Sequence, residues 1–319
     1  RKIPFWPQMV NKSFLEGMTV QFAERMPGIE VDIGKKEVFI ARSRDIRAEI
    51  EDLERRCARR DLDFFSISED YASGLYEYLY RLKGHDNAMI DYLKGQVTGP
   101  VSFGLSVTDE DKVPLFFDKE LFDAAVKTLS QRARWQASRL KEIFKDIILF
   151  VDEPSLSYFK EAGRSSKIKK EDLALSVGRV TSAIRQEDCY AGIHCCGDAD
   201  WDLVLSCGID ILSFDAYSYG ESLIKSSEKI SDFVLKGGII AWGIVPSAAL
   251  AGRESRDSLT GKLDSYINLL SQKLDREKII KASLITPSCG LGALDESTCE
   301  STIKLCVEVS EAAKKRITF

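Results

Sequence analysis

The sequence predicts an α/β fold, a TIM-type (β/α)8 barrel forming a single domain over residues 1–319, and three observations carry that reading. Short apolar runs alternate with longer amphipathic stretches, the pattern of βαβ units built around a parallel sheet. Eight such runs can be counted, the number that closes a barrel. No Gly-x-Gly-x-x-Gly follows the first run, so a doubly wound dinucleotide-binding sheet lacks its phosphate loop.

The predicted strands are 3–8, 64–68, 95–100, 147–152, 190–196, 211–215, 239–245 and 283–286. Most are continuous apolar runs ending in small or polar residues, as expected of strands buried on both faces. Residues 43–60 form the first predicted helix. Asp118 can cap a second, in which Leu121, Ala125 and Leu129 share one face. Stretches 171–185, 221–235, 255–274 and 295–313 read the same way. Gly208 and Gly237-Gly238 stand just past predicted helix ends, where glycine is favoured.

Composition narrows the function. Hydrophobic residues make up 44% and charged residues 30%, as in an ordinary globular chain with a core. With 45 Lys and Arg against 50 Asp and Glu, the net charge is -5. Without a basic block the chain is a poor nucleic-acid ligand, since that binding needs clustered phosphate neutralisation. The longest apolar run, 147–151, is far short of the roughly 20 residues of a membrane span. Arg1-Lys2 leads into Ile-Pro-Phe-Trp-Pro rather than a signal peptide, so a cytoplasmic location is expected.

Eight cysteines are too dilute for a disulfide scaffold and read as thiols, some of them potential metal ligands. The histidines are His85 and His194. His85, in Lys83-Gly84-His85-Asp86-Asn87, reads as a turn residue. His194 lies in Gly192-Ile193-His194-Cys195-Cys196-Gly197 at the end of a predicted strand. Strand alternation turns His194 and Cys196 to one side and Cys195 to the other. His-x-Cys is thus a two-ligand arm for a borderline metal, unless the three are simply core residues. Cys289, in Pro287-Ser288-Cys289-Gly290, follows the last predicted strand. In a barrel the strands' C-terminal ends gather on one face, so Cys289 can meet Cys196 there. Three N/S ligands with an open fourth place is the pattern of catalytic zinc, and no Cys-x-x-Cys suggests a structural site. Asp215 ends another strand and can be an oxygen ligand, a partner for His194 or a helix cap. Asp152-Glu153-Pro154 offers a carboxylate for a substrate amine or for base work. Cys57, Cys189, Cys207, Cys299 and Cys306 read as core thiols.

Taken together, five motifs resemble those of cobalamin-independent methionine synthase, in the order of its C-terminal catalytic barrel. They are Leu93-Lys-Gly-Gln-Val-Thr-Gly-Pro100, Val151-Asp-Glu-Pro154, His194-Cys-Cys196, Asp210-Ile-Leu-Ser-Phe-Asp215 and Pro287-Ser-Cys-Gly290. The His-Cys-Cys-Gly run also resembles the His-x-Cys-Gly of the uroporphyrinogen decarboxylase superfamily, which includes zinc-dependent thiol methyltransferases acting with corrinoid proteins. The resemblance implies zinc held by His194, Cys196, Cys289 and Asp215, with a substrate thiol such as homocysteine joining the metal. Asp215 stands where the methionine synthase family has the longer Glu. Asp152 matches the aspartate that takes the substrate amino group, and Ser288 is a further expected substrate contact. Asp152 and Asp215 are the residues expected to act in catalysis.

Two departures shape the expectation. The chain has no Gly-Ser-x-Pro segment near its start. Residues 3–8 are then either the second strand of the family barrel, its first strand missing and 64–68 an excursion, or the first strand on the decarboxylase pattern. No folate-associated N-terminal barrel is present either, which implies a methyl donor such as methylcobalamin or another corrinoid, carried by a partner protein. Two other readings stand beside the methyltransferase: a uroporphyrinogen decarboxylase, whose Arg-Gln-x-Gly-Arg motif is missing after Ile3-Pro4-Phe5-Trp6, and a non-catalytic corrinoid- or metal-binding barrel.

Overall fold

The computed structural model describes residues 2–84, 87–161, 168–247 and 254–315; His85 lies outside them. Its elements begin with β1 (Ile29–Asp32), β2 (Glu37–Ile40), α1 (Ile46–Arg59), α2 (Ser73–Lys83), β3 (Leu93–Thr98), α3 (Pro100–Ser106) and α4 (Lys119–Lys141). There follow β4 (Ile147–Asp152), α5 (Tyr158–Glu161), α6 (Lys170–Arg185), β5 (Tyr190–Cys195), α7 (Trp201–Ser206) and β6 (Ile211–Phe214). The chain continues through α8 (Ala216–Ile224), α9 (Ser227–Leu235), β7 (Ile239–Val245), α10 (Arg256–Leu270), α11 (Arg276–Lys281), β8 (Ser283–Pro287) and α12 (Glu296–Lys315).

Strands β3 to β8 make a six-stranded sheet in strict chain order, with parallel pairing. Parallel strands that follow one another without reversal, joined by helical crossovers, are the winding of a TIM-type barrel; a doubly wound sheet reverses its order. The chain packs as two compact units, Arg1–Ser155 with Lys167–Gly192, and Leu156–Ser166 with Ile193–Phe319. No described helix is long and apolar enough to cross a membrane.

In the first unit, β3 and β4 pair in register from Leu93 with Ile147 to Thr98 with Asp152. The first predicted strand survives only as a parallel bridge between Phe5 and Lys94, with Lys94 N–H donating to the Pro4 carbonyl at 3.0 Å. Pro4 and Pro7 lack the N–H groups that a longer ladder needs. Side chains hold the segment instead. Trp6 is fully buried and donates to Gln136 on α4 at 2.9 Å, while Gln96 donates to the Trp6 carbonyl at 3.2 Å.

Residues 64–68 are not a strand. Leu62–Phe65 is a 3-10 turn whose Phe65 packs with Leu53 and Ala124. A short apolar run bounded by polar residues has no periodicity to separate a buried turn from a strand. The antiparallel hairpin β1–β2, with Ile29 opposite Ile40, was not foreseen, because its strands are short and carry charge.

In the second unit, β6 pairs with β7 and β7 with β8, both parallel. Their helix-side core is aromatic. Phe214 lies between Trp201 and Trp242, with ring centroids at 5.3 and 5.7 Å, and Trp242 stacks on Tyr266 of α10. The predicted helix 221–235 is two helices, α8 and α9, because Asp215 starts α8 early and the chain leaves it at Lys225. The predicted cap at Asp118 is present, its carboxylate accepting from Leu121 N–H, and Gly208 and Gly237 have φ of +69° and +95°.

Candidate metal centre

The second unit brings three predicted donors together. One ligand atom each from His194, Cys196 and Cys289 lies within 4.8 Å of the other two. His194 is on β5, Cys196 is the next residue but one, and Cys289 stands just past β8. Cys195 turns away and is fully buried, as strand alternation requires. His194 and Cys196 are half-buried, whereas Cys289 is exposed.

Two polar interactions prepare the donors. His194 Nδ1 is 3.0 Å from the Ser213 hydroxyl, and His194 Nε2 is buried with no hydrogen-bond partner. With Nδ1–H directed at Ser213, the lone pair at Nε2 is left for a metal. Cys196 and His194 are the neighbours that act on the Cys289 thiol. Together these hold the Cys289 thiol well below the ordinary thiol range and push Cys196 up.

The donor set fits zinc. Bonds of about 2.0 to 2.3 Å in a tetrahedron place ligand atoms roughly 3.3 to 3.8 Å apart, a small contraction from the observed grouping. The loop after Cys196 is fixed from two sides. A Cβ at Gly197 would come within 2.5 Å of Ser157 Cβ, so only glycine lets the backbone approach that closely. Asp198 is bonded to both Lys160 and Ser222. Ser213→Ala is expected to weaken zinc about tenfold to a hundredfold, as loss of a ligand's orienting partner does. Competition against a chromophoric chelator measures this, Ser213→Thr should keep near-native affinity, and unchanged affinity in the alanine variant would show that His194 is oriented by something else.

Asp215 and Ser288 both have partners within the protein. Asp215 is not among the converging donors. Its Oδ1 accepts from Ser218 N–H at 2.9 Å, so it is the N-cap of α8, the use a short carboxylate finds at a strand-to-helix turn. Burial raises its pKa, and the charge on Cys289 pushes in the same direction. Ser288 is buried; its hydroxyl accepts from Ser247 N–H at 3.1 Å and lies 3.0 Å from the Ser247 hydroxyl. It ties together the ends of β7 and β8, fixing the backbone that carries Cys289.

Asp152 belongs to the first unit, half-buried at the end of β4 opposite Thr98. Its neighbour Glu153, read from sequence only as part of Asp152-Glu153-Pro154, has a structural role. It is fully buried and accepts from Val101 N–H, Ser102 N–H and the Ser102 hydroxyl at 2.8, 2.9 and 2.7 Å. Burial nevertheless raises its pKa to about 7 against the pull of those donors. Pro100 was the available signal, because a proline opening a helix announces N–H groups behind it that need an acceptor.

No family model and no curated protein matches the chain. A solved structure described as a candidate vitamin-B12 independent methionine synthase from Listeria monocytogenes is similar to it at 14% identity, covering 76% of this chain and 68% of that one, with a TM-score of 0.48. A likeness this distant assigns no activity to the chain.

Proposed function

We propose that the chain is a zinc-dependent methyltransferase that transfers a methyl group to a small thiol. The observation that carries this reading is the convergence of His194, Cys196 and Cys289, the last of them exposed. The methionine synthase-like order of the sequence motifs supports it independently. Zinc bound there would lower the pKa of an entering thiol and hold it as a nucleophilic thiolate. Two cysteine thiolates suit that task better than water activation, because they reduce the Lewis acidity that hydrolysis needs.

The chain's own residues supply the rest. Ser213 engages Nδ1 of the imidazole and leaves Nε2 as the nitrogen for the metal. Asp215, already engaged at the N-terminus of α8, is a weak competitor for the fourth place and yields it to substrate. Asp215→Ala is accordingly expected to change metal affinity far less than loss of a cysteine.

Proton release tests the proposal. The zinc-loaded protein should bind homocysteine with release of a proton at neutral pH, because thiolate and not thiol enters the site. Calorimetry in two buffers of different ionisation enthalpy counts the proton. Binding without release would mean that the thiol does not reach the metal. The same preparation, offered a panel of thiols and methylcobalamin as donor, reads methyl transfer directly; zinc binding with no thiol methylated would leave a metal-binding barrel instead.

A further inference from the structure

Lys94, a residue of the first unit, is not one of the metal donors and has no part in the chemistry above. Lys94 shares one face of β3 with Gln96 and Thr98, while Gly95 between them packs on Gln136 of α4. Lys94 therefore points away from the helices. Its Nζ makes one hydrogen bond among the described residues, a long one of 3.4 Å to Gln96 Oε1. The Phe150 and Phe5 rings flank it at 5.0 and 5.7 Å. An ammonium carries three donors, and among the described residues a protein acceptor meets one of them.

We propose that Lys94 is a carbonyl-capturing amine that holds a short, uncharged aldehyde as an imine. Lysines that act this way sit on apolar walls that disfavour the ammonium form. Desolvation lowers the pKa of Lys94, and Asp152, the charged group reaching it from β4, opposes this. The Nζ lone pair forms the C–N bond as the carbonyl π pair moves to oxygen. That oxygen then takes up protons and leaves as water while nitrogen loses its own, so amine and aldehyde give imine and water with no oxidant or reductant. The two phenyl rings favour an apolar carbon chain, and the Asp152 charge disfavours an anionic 2-oxo acid.

The competing role is structural: a permanently protonated Lys94 held by cation–π attraction to the two rings. Reductive trapping separates the two. The full chain is incubated with propanal and sodium cyanoborohydride at pH 7, and peptides are mapped by mass. The expected result is propylation at Lys94 faster than at exposed Lys83, since a lowered pKa raises the fraction of neutral amine at pH 7. Lys94→Met, checked for fold by circular dichroism, should lose that label and keep the surface ones. Pyruvate should react more slowly than propanal. Label confined to surface lysines in the unaltered chain would overturn the proposal, as would faster trapping of pyruvate.

Discussion

Cys196→Ser is expected to remove stoichiometric zinc from the protein, while Cys195→Ser leaves about one ion per chain. Both are free thiols, one residue apart, but Cys196 belongs to the converging group and Cys195 is sealed in the core. Loss of one of three strong ligands should weaken binding by more than the hundredfold that an orienting partner can cost. Cys289→Ser should behave like Cys196→Ser, although the two lie far apart in sequence. Metal analysis after dialysis, with X-ray absorption for sulfur at about 2.3 Å and nitrogen at about 2.0 to 2.1 Å, reads the outcome. Equal loss of metal in the Cys195 and Cys196 variants would put the wrong face of β5 toward the site.

That contrast was legible in the sequence because strand alternation is a local rule. Given a strand ending near Cys196, the sides of His194, Cys195 and Cys196 follow from its period of two. The approach of Cys289 was legible only through the fold class, which collects strand ends. Local patterns served well where strands are long and wholly apolar, as at 147–152 and 239–245, both of which are strands over those residues. They failed at 64–68, where the apolar side chains fill a turn, and at the hairpin β1–β2, whose alternating charges give little signal.

Residues with two plausible uses were where the sequence stopped. Asp215 reads equally as ligand and cap from its position after β6, and only the 2.9 Å contact with Ser218 N–H shows it capping. Ser213 carries no motif of its own. Its place two residues before Asp215 puts both on one side of β6, so a hydroxyl there could have been weighed as a partner for His194. Lys94 was visible inside a motif, yet its surroundings come from Phe5 and Phe150, which are distant in sequence.

Gly99→Ala is expected to destabilise the protein by at least about 3 kcal/mol, through overpacking and lost charge-assisted hydrogen bonds. A Cβ at Gly99 would fall within the space of the Glu153 side chain, so Glu153 would have to leave the N-terminus of α3. Its three hydrogen bonds would go with it, leaving Val101 and Ser102 N–H groups buried and unpaired. The Thr-Gly-Pro and Asp-Glu-Pro motifs are thus two halves of one device, glycine making room for the acid that caps the helix opened by proline. Urea unfolding of a double-mutant cycle isolates the coupling: Gly99→Ala should cost much less in a Glu153→Ala background, and an equal cost in both would refute the pairing. The same carboxyl sets a pH dependence. Its native pKa of about 7 lies above the ordinary 4.5, so the native state holds this proton more tightly than the unfolded chain does. The resulting stability is fully present below about 4.5 and is lost as pH rises toward about 7, a fall on the order of 3 kcal/mol for a fully buried group. Glu153→Ala should flatten that segment of the stability profile, and an unchanged slope would place the titration elsewhere.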